Sequence, residues 1–346
     1  MQVYGESVRE AVSRLAPTNW IVDDIRSPEP PSGSPHALRW NRFVSFPRSL
    51  RPAAGVYHIL DHAHAHLVGR LPRDRTIVTV HDIIPVLKWR GKLAAARGRP
   101  PLFNLWSFSH LRRAAAIAAD SESTKQDLVE VLGCDASVIS VIPPGIDPCF
   151  RPYPPEERAA AVKRLGLDGH ARQRIVLSGH QFYKGHDVSR KAIEAVARNG
   201  HRPVEVLWLT GSDDEGRAMA ESIGVPVRVY RDLTRTQVTD VYNAADVLLF
   251  PSIYEGFGWP PLEAMACGVP VVTSTARALA ETTTGAALTA DAGDWEGFAG
   301  LVLSVLADSS VAGSLRERGL TRAAQYTWDA AARGLIRLYE RLQPAA

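Results

Sequence analysis

Two carboxylates, Glu255 and Glu263, bracket the run Gly256-Phe257-Gly258-Trp259-Pro260-Pro261-Leu262. A carboxylate accepts hydrogen bonds from two neighbouring hydroxyls at once, which is how acidic residues hold a ribose. Gly256 and Gly258 let backbone N–H groups approach a bound group closely. Pro260 and Pro261 suit the first turn of a helix, and Gly268 suits its C-terminal end. The apolar run Val247-Leu248-Leu249-Phe250-Pro251 ahead of them reads as a buried parallel strand. Strand, glycine loop and helix N-terminus together make an anion site, usually for phosphate. Lys184 lies in the turn Gly179-His180-Gln181-Phe182-Tyr183-Lys184-Gly185, after the apolar strand Arg174–Ser178. A lysine there is a point charge for a diphosphate. His81 ends the strand Thr76–Val80, at the carboxyl edge where open parallel sheets place ligands.

The string Glu-Gly-Phe-Gly, a Pro before Leu262-Glu263-Ala264-Met265-Ala266, then Gly268-Val269-Pro270-Val271-Val272, resembles the Glu-x7-Glu signature of the retaining glycosyltransferases of family 4. Pro143-Pro144-Gly145-Ile146-Asp147 is similar to a second element of that family, at the end of its first domain. The resemblance covers about residues 174–343 strongly and 40–150 more weakly. It implies an α/β chain of two Rossmann-like domains whose parallel sheets face across a cleft, the GT-B fold. It also implies Glu263 on the ribose and Glu255 near the donor sugar. Gly256, Phe257 and Gly258 would present backbone N–H groups to sugar hydroxyls and diphosphate. Gly179 and Lys184 would lie at the diphosphate, and the loop Asp232-Leu233-Thr234 would contact the base. His81 would stand between donor and acceptor. Apart from the resemblance, Asp61 could hydrogen-bond sugar hydroxyls on the acceptor side. The family pairs the lysine with a nearby arginine, but this chain has His180 and Tyr183 at the plausible positions; Arg190 or Lys191 is the replacement to examine.

The elements that must hold these residues alternate strand and helix, so the sheets are mostly parallel. In the first half, strands are expected at Trp20–Val22, Val56–Leu60, Thr76–Val80, Ala115–Ala119 and Val138–Ile142. Helices are expected over 8–15 and 100–113, with another opened by a capping box at Ser123-Thr124-Lys125-Gln126 and running to Leu132. Residues 27–36 read as a Pro/Ser/Gly loop. The usual opening strand and glycine turn of a Rossmann domain are not found ahead of the first helix; either that strand is lost or the natural start lies upstream. A stiff Pro-rich linker spans Pro143–Pro155. The domains are expected at 1–150 and 151–326. The resemblance also implies that the last helix, 327–346, returns to the first domain. In the second half, strands are expected at Val204–Leu209 and Val225–Val229, and helices from about Thr236, over 309–325 and over 328–342.

Composition bounds the rest. The 346 residues carry a net charge of +3, which implies no nucleic-acid partner. Cys134, Cys149 and Cys267 have no metal or disulfide spacing and suit a reducing compartment. No run of about 18 apolar residues appears, and no signal peptide opens the chain. A cytoplasmic location follows, with peripheral contact at the inner membrane face as an option. That option rests on Lys88, Trp89, Arg90, Lys92, Arg97 and Arg99 beside Phe103 and Trp106; a solvated loop is the plainer reading. The cluster His58, Asp61, His62, His64 and His66 has an i, i+4 histidine pair but no glutamate after the first histidine, so it reads as the acceptor side rather than a zinc site. No Asp-x-Asp pair appears, and neither metal nor cofactor is expected. The function expected is transfer of a sugar from a GDP- or UDP-linked donor to a sugar, glycan or lipid-linked hydroxyl, with retention. Two alternatives stay open: a sugar-nucleotide epimerase of the same fold, and a non-catalytic nucleotide-sugar-binding protein.

Overall fold

The structure is a computed structural model that describes residues 2–27, 34–93, 100–167 and 172–343. The chain divides into two compact units. One holds the residues up to Gly145 together with those from Trp328 onward; the other spans Ile146–Thr327.

The first unit is built on a four-stranded sheet in the order β1-β2-β3-β4. Its strands are β1 Tyr57–Ile59, β2 Thr76–Val80, β3 Ala116–Ala119 and β4 Ile139–Val141, all parallel. Strands buried on both faces read as unbroken apolar or small-residue runs, as Thr76-Ile77-Val78-Thr79-Val80 does, with every residue buried. The helix Gln2–Leu15 buries Tyr4, Val8, Ala11 and Val12, spaced for one helical face. It packs on the closing helix Trp328–Leu342, which buries Leu335 and Leu338. Tyr4 meets Trp328 edge to face at 5.6 Å, and Arg14 pairs with Asp329 at the exposed end of this contact.

The second unit carries six parallel strands: β5 Gln173–Ser178, β6 Val204–Leu209, β7 Val227–Tyr230, β8 Val247–Phe250, β9 Val271–Ser274 and β10 Leu288–Ala290. Their order is β10-β9-β8-β5-β6-β7. The chain works outward from β5 through β6 to β7, then returns to the other side of β5 with β8. The strand order therefore reverses between β5 and β8, which pair through Ile175↔Val247 and Val176↔Leu248. Alternation along β5 feeds two cores: Val176 packs with Leu248, Phe250, Tyr242 and Leu262 on one face. Ile175 and Leu177 pack with Trp208, Phe298 and Val302 on the other. A charge pair, Arg174–Glu205 at 2.8 Å, is closed inside the sheet's edge with both side chains at most 4% exposed. Such a pair persists because breaking either half strands a buried charge.

Several expectations are corrected. Trp20–Val22 forms no strand, and Ile21 is exposed, because no neighbouring strand is there to pair with it. Among the described residues no strand precedes β1. The helix Glu122–Leu132 is capped by Ser121, whose Oγ accepts from Thr124 N–H, and not by Ser123. The linker gives way at Pro155 to a helix, Pro155–Arg164, with proline in its first turn. Residues 100–113 form a helix only over Leu102–Ser109, followed by a tight turn at Leu111–Arg113. Of the basic segment, Lys88 and Trp89 end the helix Ile84–Trp89, while Arg97 and Arg99 lie outside the described residues. Residues 28–33 of the Pro/Ser/Gly loop also lie outside them. Among the described residues no single helix is long and apolar enough to cross a membrane.

Candidate active site

The carboxyl ends of β5 and β8, where the strand order reverses, are where a doubly wound sheet opens a crevice for a ligand. The loops leaving these two strands carry Lys184 and Glu255. Their side chains meet, Lys184 Nζ donating to Glu255 Oε1 at 2.7 Å, with exposures of 9% and 11%. The ammonium also lies 4.6 Å from the centre of the Phe250 ring. Local geometry holds the lysine in place. Gly179 has φ +89°, and a Cβ there would stand 2.8 Å from Lys184 Cε. Gly185 has φ +72°, and a Cβ would fall 2.3 Å from the Pro251 carbonyl. The two loops are stitched together as well: Ile253 N–H and Ser252 Oγ both donate to the Tyr183 carbonyl, at 2.8 and 3.0 Å.

Gly258, at φ +110°, turns the chain into the helix Trp259–Ala266, with Pro260 and Pro261 in its first turn. Phe257 points inward, 6% exposed and edge to face with Tyr326 at 5.5 Å, so any ligand contact it makes is through backbone. Glu263, one turn into the helix, accepts from the Tyr242 hydroxyl at 3.3 Å. Desolvation pushes the Glu263 carboxyl up to about 7, against the lowering pull of the Tyr242 hydroxyl, Arg235 and Lys184. Lys184, Glu255 and Glu263 thus share one electrostatic neighbourhood. Gly256 lies between them in the loop.

Leu233 packs on the apolar cluster, and Thr234 caps the helix Arg235–Ala244 through a capping box with Gln237. The Thr234 side chain is committed to the cap, which leaves backbone as what this loop offers a ligand. Asp232 and Thr210, at the carboxyl ends of β7 and β6, hold positive φ of 51° and 63°. A non-glycine residue there is strained, and such strain gathers at binding edges. The Thr210 carbonyl accepts from His180 Nδ1 at 2.9 Å.

Tyr242 and Arg235 escaped the sequence reading. Tyr242 reads as one apolar position of a helix, yet its hydroxyl braces Glu263. Arg235 is ion-paired with Asp147 and sits close enough to lower the Glu263 carboxyl. The Thr-x-x-Gln pattern at 234–237 marks a helix start and could have placed Arg235 at this edge. Arg190 pairs with Glu194 on its own helix at 3.9 Å, and Lys191 is exposed.

In the first unit, His81 is 9% exposed and follows β2. Its Nδ1 bonds Asp120 Oδ2 at 2.6 Å, and its Nε2 bonds the Leu60 carbonyl at 3.0 Å. Burial alone would lower the imidazole, but the Asp120 carboxylate overrides it and raises it to about 9. Both nitrogens then carry protons and donate. Asp61 is brought near: its Oδ1 caps the turn at Ala63 N–H and lies 3.8 Å from His62, whose Nδ1 accepts from the His81 backbone N–H. His58 points elsewhere, between Tyr339 and Thr79, both at 2.7 Å. Among the described residues no group of three His, Cys, Asp or Glu is placed to hold a metal ion.

Two family models match the chain. One described as Glycosyltransferase Family 4 covers residues 7–150, and one described as Glycosyl transferases group 1 covers 172–308. Among similar proteins, D-inositol 3-phosphate glycosyltransferase from Rhodococcus jostii is 29% identical over 301 residues, covering 82% of this chain and 66% of that protein. This chain therefore spans about two thirds of that relative's length. Among solved structures, sucrose-phosphate synthase from Thermosynechococcus elongatus superposes with a TM-score of 0.75 at 21% identity, over 98% of this chain and 92% of that one. Anabaena Alr3699/HepE, solved in complex with UDP-glucose, gives 0.66 at 19% identity, over 80% and 75%. These neighbours establish the GT-B fold. With a glycosyltransferase model on each half and glycosyltransferase relatives across 82% of its length, the chain belongs to the glycosyltransferases of family 4.

Proposed function

We propose that the protein transfers a sugar from a nucleoside diphosphate sugar to a hydroxyl acceptor, with retention at the anomeric carbon. The observation that carries this reading is the convergence of Lys184, Glu255 and Glu263 where the strand order reverses. Glu263, ionised, accepts both ribose hydroxyls, with Tyr242 holding it in place. Lys184 leaves Glu255 to meet the diphosphate, and Glu255 is then free to accept from a sugar hydroxyl. Arg235 is the second cation at this edge. As the bond from the anomeric carbon to the phosphate oxygen breaks, charge builds on the diphosphate and Lys184 stabilises it. The acceptor oxygen attacks from the same face and its proton passes to the departing phosphate oxygen, so atoms and charge balance without a protein nucleophile or a metal. His81 and Asp61 serve the acceptor side in the first unit. That HepE was solved with UDP-glucose makes a UDP-sugar the first donor to try. The relatives' name makes a phosphorylated cyclitol the first acceptor.

The test is thermal stability of the purified chain with UDP, GDP, ADP and TDP in turn, followed by transfer from the matching donor sugar. A ligand that binds only the folded state stabilises it, by about 2.7 kcal/mol at a hundredfold excess over its Kd, and so raises the midpoint. A shift with one nucleotide, and a product keeping the donor's anomeric configuration by NMR, supports the proposal. Binding without transfer to any acceptor points to a binding protein. Turnover of the donor sugar without an acceptor points to an epimerase.

A further inference from the structure

Residues 30–60 contain four Lys or Arg and residues 83–119 contain seven, and neither segment contains a single Asp or Glu. With +11 in these two segments and +3 overall, the rest of the chain carries −8. Both segments belong to the first unit, and their side chains meet there. The Phe43 and Phe103 rings lie 4.1 Å apart, and the Arg42 guanidinium sits 5.3 Å and 5.9 Å from the two ring centres. Around this contact the usual burial is inverted. In the helix Leu102–Ser109, Ser107 is buried while Leu102 is 73% exposed and Trp106 47%. Beside it, Trp40 is 62% exposed, with Leu38 and Arg39 exposed on the same short helix, Pro35–Trp40. A helix facing water presents its polar residues outward; here Leu102, Phe103 and Trp106 point out, while Ser107 and Phe108 point in.

We propose that this face docks on an anionic lipid bilayer. Indole rings settle at the headgroup level, leucines reach the acyl boundary, and arginines meet lipid phosphates, so each exposed side chain has a use there. A nucleic acid would answer the charge but leave Leu38 and Leu102 in water. The proposal concerns the first unit and stands apart from the nucleotide site of the second.

The experiment is co-sedimentation of the full chain with phosphatidylcholine vesicles, with and without about one third phosphatidylglycerol, at about 0.1 M salt. Binding to the anionic vesicles is expected to be at least about tenfold tighter than to the neutral ones. The double variant Trp40→Ser/Leu102→Ser is expected to lose about tenfold on the anionic vesicles, with an unchanged melting temperature, since both side chains are exposed. As a readout that needs no variant, lipids brominated in the acyl chain should quench the tryptophan emission of the wild-type protein. Failure to bind anionic vesicles, full retention of binding by the double variant, absence of quenching, or a preference for duplex RNA over vesicles would each overturn the proposal.

Discussion

At Glu263, the fold and the proposed ribose contact make opposite demands on one carboxyl. Desolvation raises it from the ordinary 4.5 to about 7, so the fold prefers the protonated form. Its contribution to stability is fully present below pH 4.5 and is lost as pH rises through 7. The loss reaches roughly 3 kcal/mol, because each tenfold change in proton affinity is worth about 1.4 kcal/mol. In the proposed function the ribose needs the carboxylate. Glu263→Gln should therefore raise stability at pH 8 by up to about 3 kcal/mol, with no gain below pH 4.5, while weakening nucleotide-sugar binding; paired urea titrations and calorimetry read both. Wild-type affinity for a nucleotide sugar, whose diphosphate does not titrate here, should climb as pH rises from 6 to 8. A flat profile would remove Glu263 from the ribose. His81 works in the other unit with its pKa raised to about 9, burial being outweighed by Asp120. Its stabilisation is full below pH 6.5 and is lost as pH rises through 9. Asp120→Asn should cost up to about 3 kcal/mol at pH 6 and far less at pH 9.5 by chemical denaturation.

At the level of elements, the site depends on turns that only glycine fits. Gly185 joins the Lys184 turn to the following helix, and a Cβ there would strike the Pro251 carbonyl at the end of β8. Gly166, also at positive φ, has nothing within 4 Å of an added Cβ. Gly166→Ala should cost about 1 kcal/mol, the backbone strain alone. Gly185→Ala adds a backbone clash, should cost at least about 2 kcal/mol and should move Lys184 away from Glu255. Equal unfolding midpoints for the two variants would show that the loop after β8 does not hold the lysine turn.

Across the whole molecule, the residues of the proposed reaction fall in two compact units. Lys184→Ala should lower transfer by at least about a hundredfold, the scale of one lost electrostatic contact at a developing charge, with sugar recognition changed less. A wild-type kcat would exclude the lysine from the reaction. Nucleotide protection in amide hydrogen exchange should fall on residues 178–185, 234–242 and 251–263 of the second unit. Protection elsewhere would place the nucleotide on another edge of the molecule.

The strand runs, the glycine loop between Glu255 and Glu263, and the position of Lys184 after β5 were legible because each depends on local rules: continuous apolar runs, φ preferences and helix-start chemistry. The family followed from the same string. Trp20–Val22 misled because a β-branched run becomes a strand only where a neighbour can pair with it. Ser123 lost the cap to Ser121, a two-residue choice that packing makes. The partners of the site residues were not legible, being far apart in sequence. Tyr242 reaches Glu263 across the fold, Arg235 stands where the sheet's edge brings it, and Asp120 turns His81 into a cation. Sequence alone determined which residues have the chemistry and which strands end beside them. The tertiary structure decided which of them touch, and so which carboxyl is pushed toward neutrality and which imidazole is held charged, because burial and through-space charge do not follow chain order.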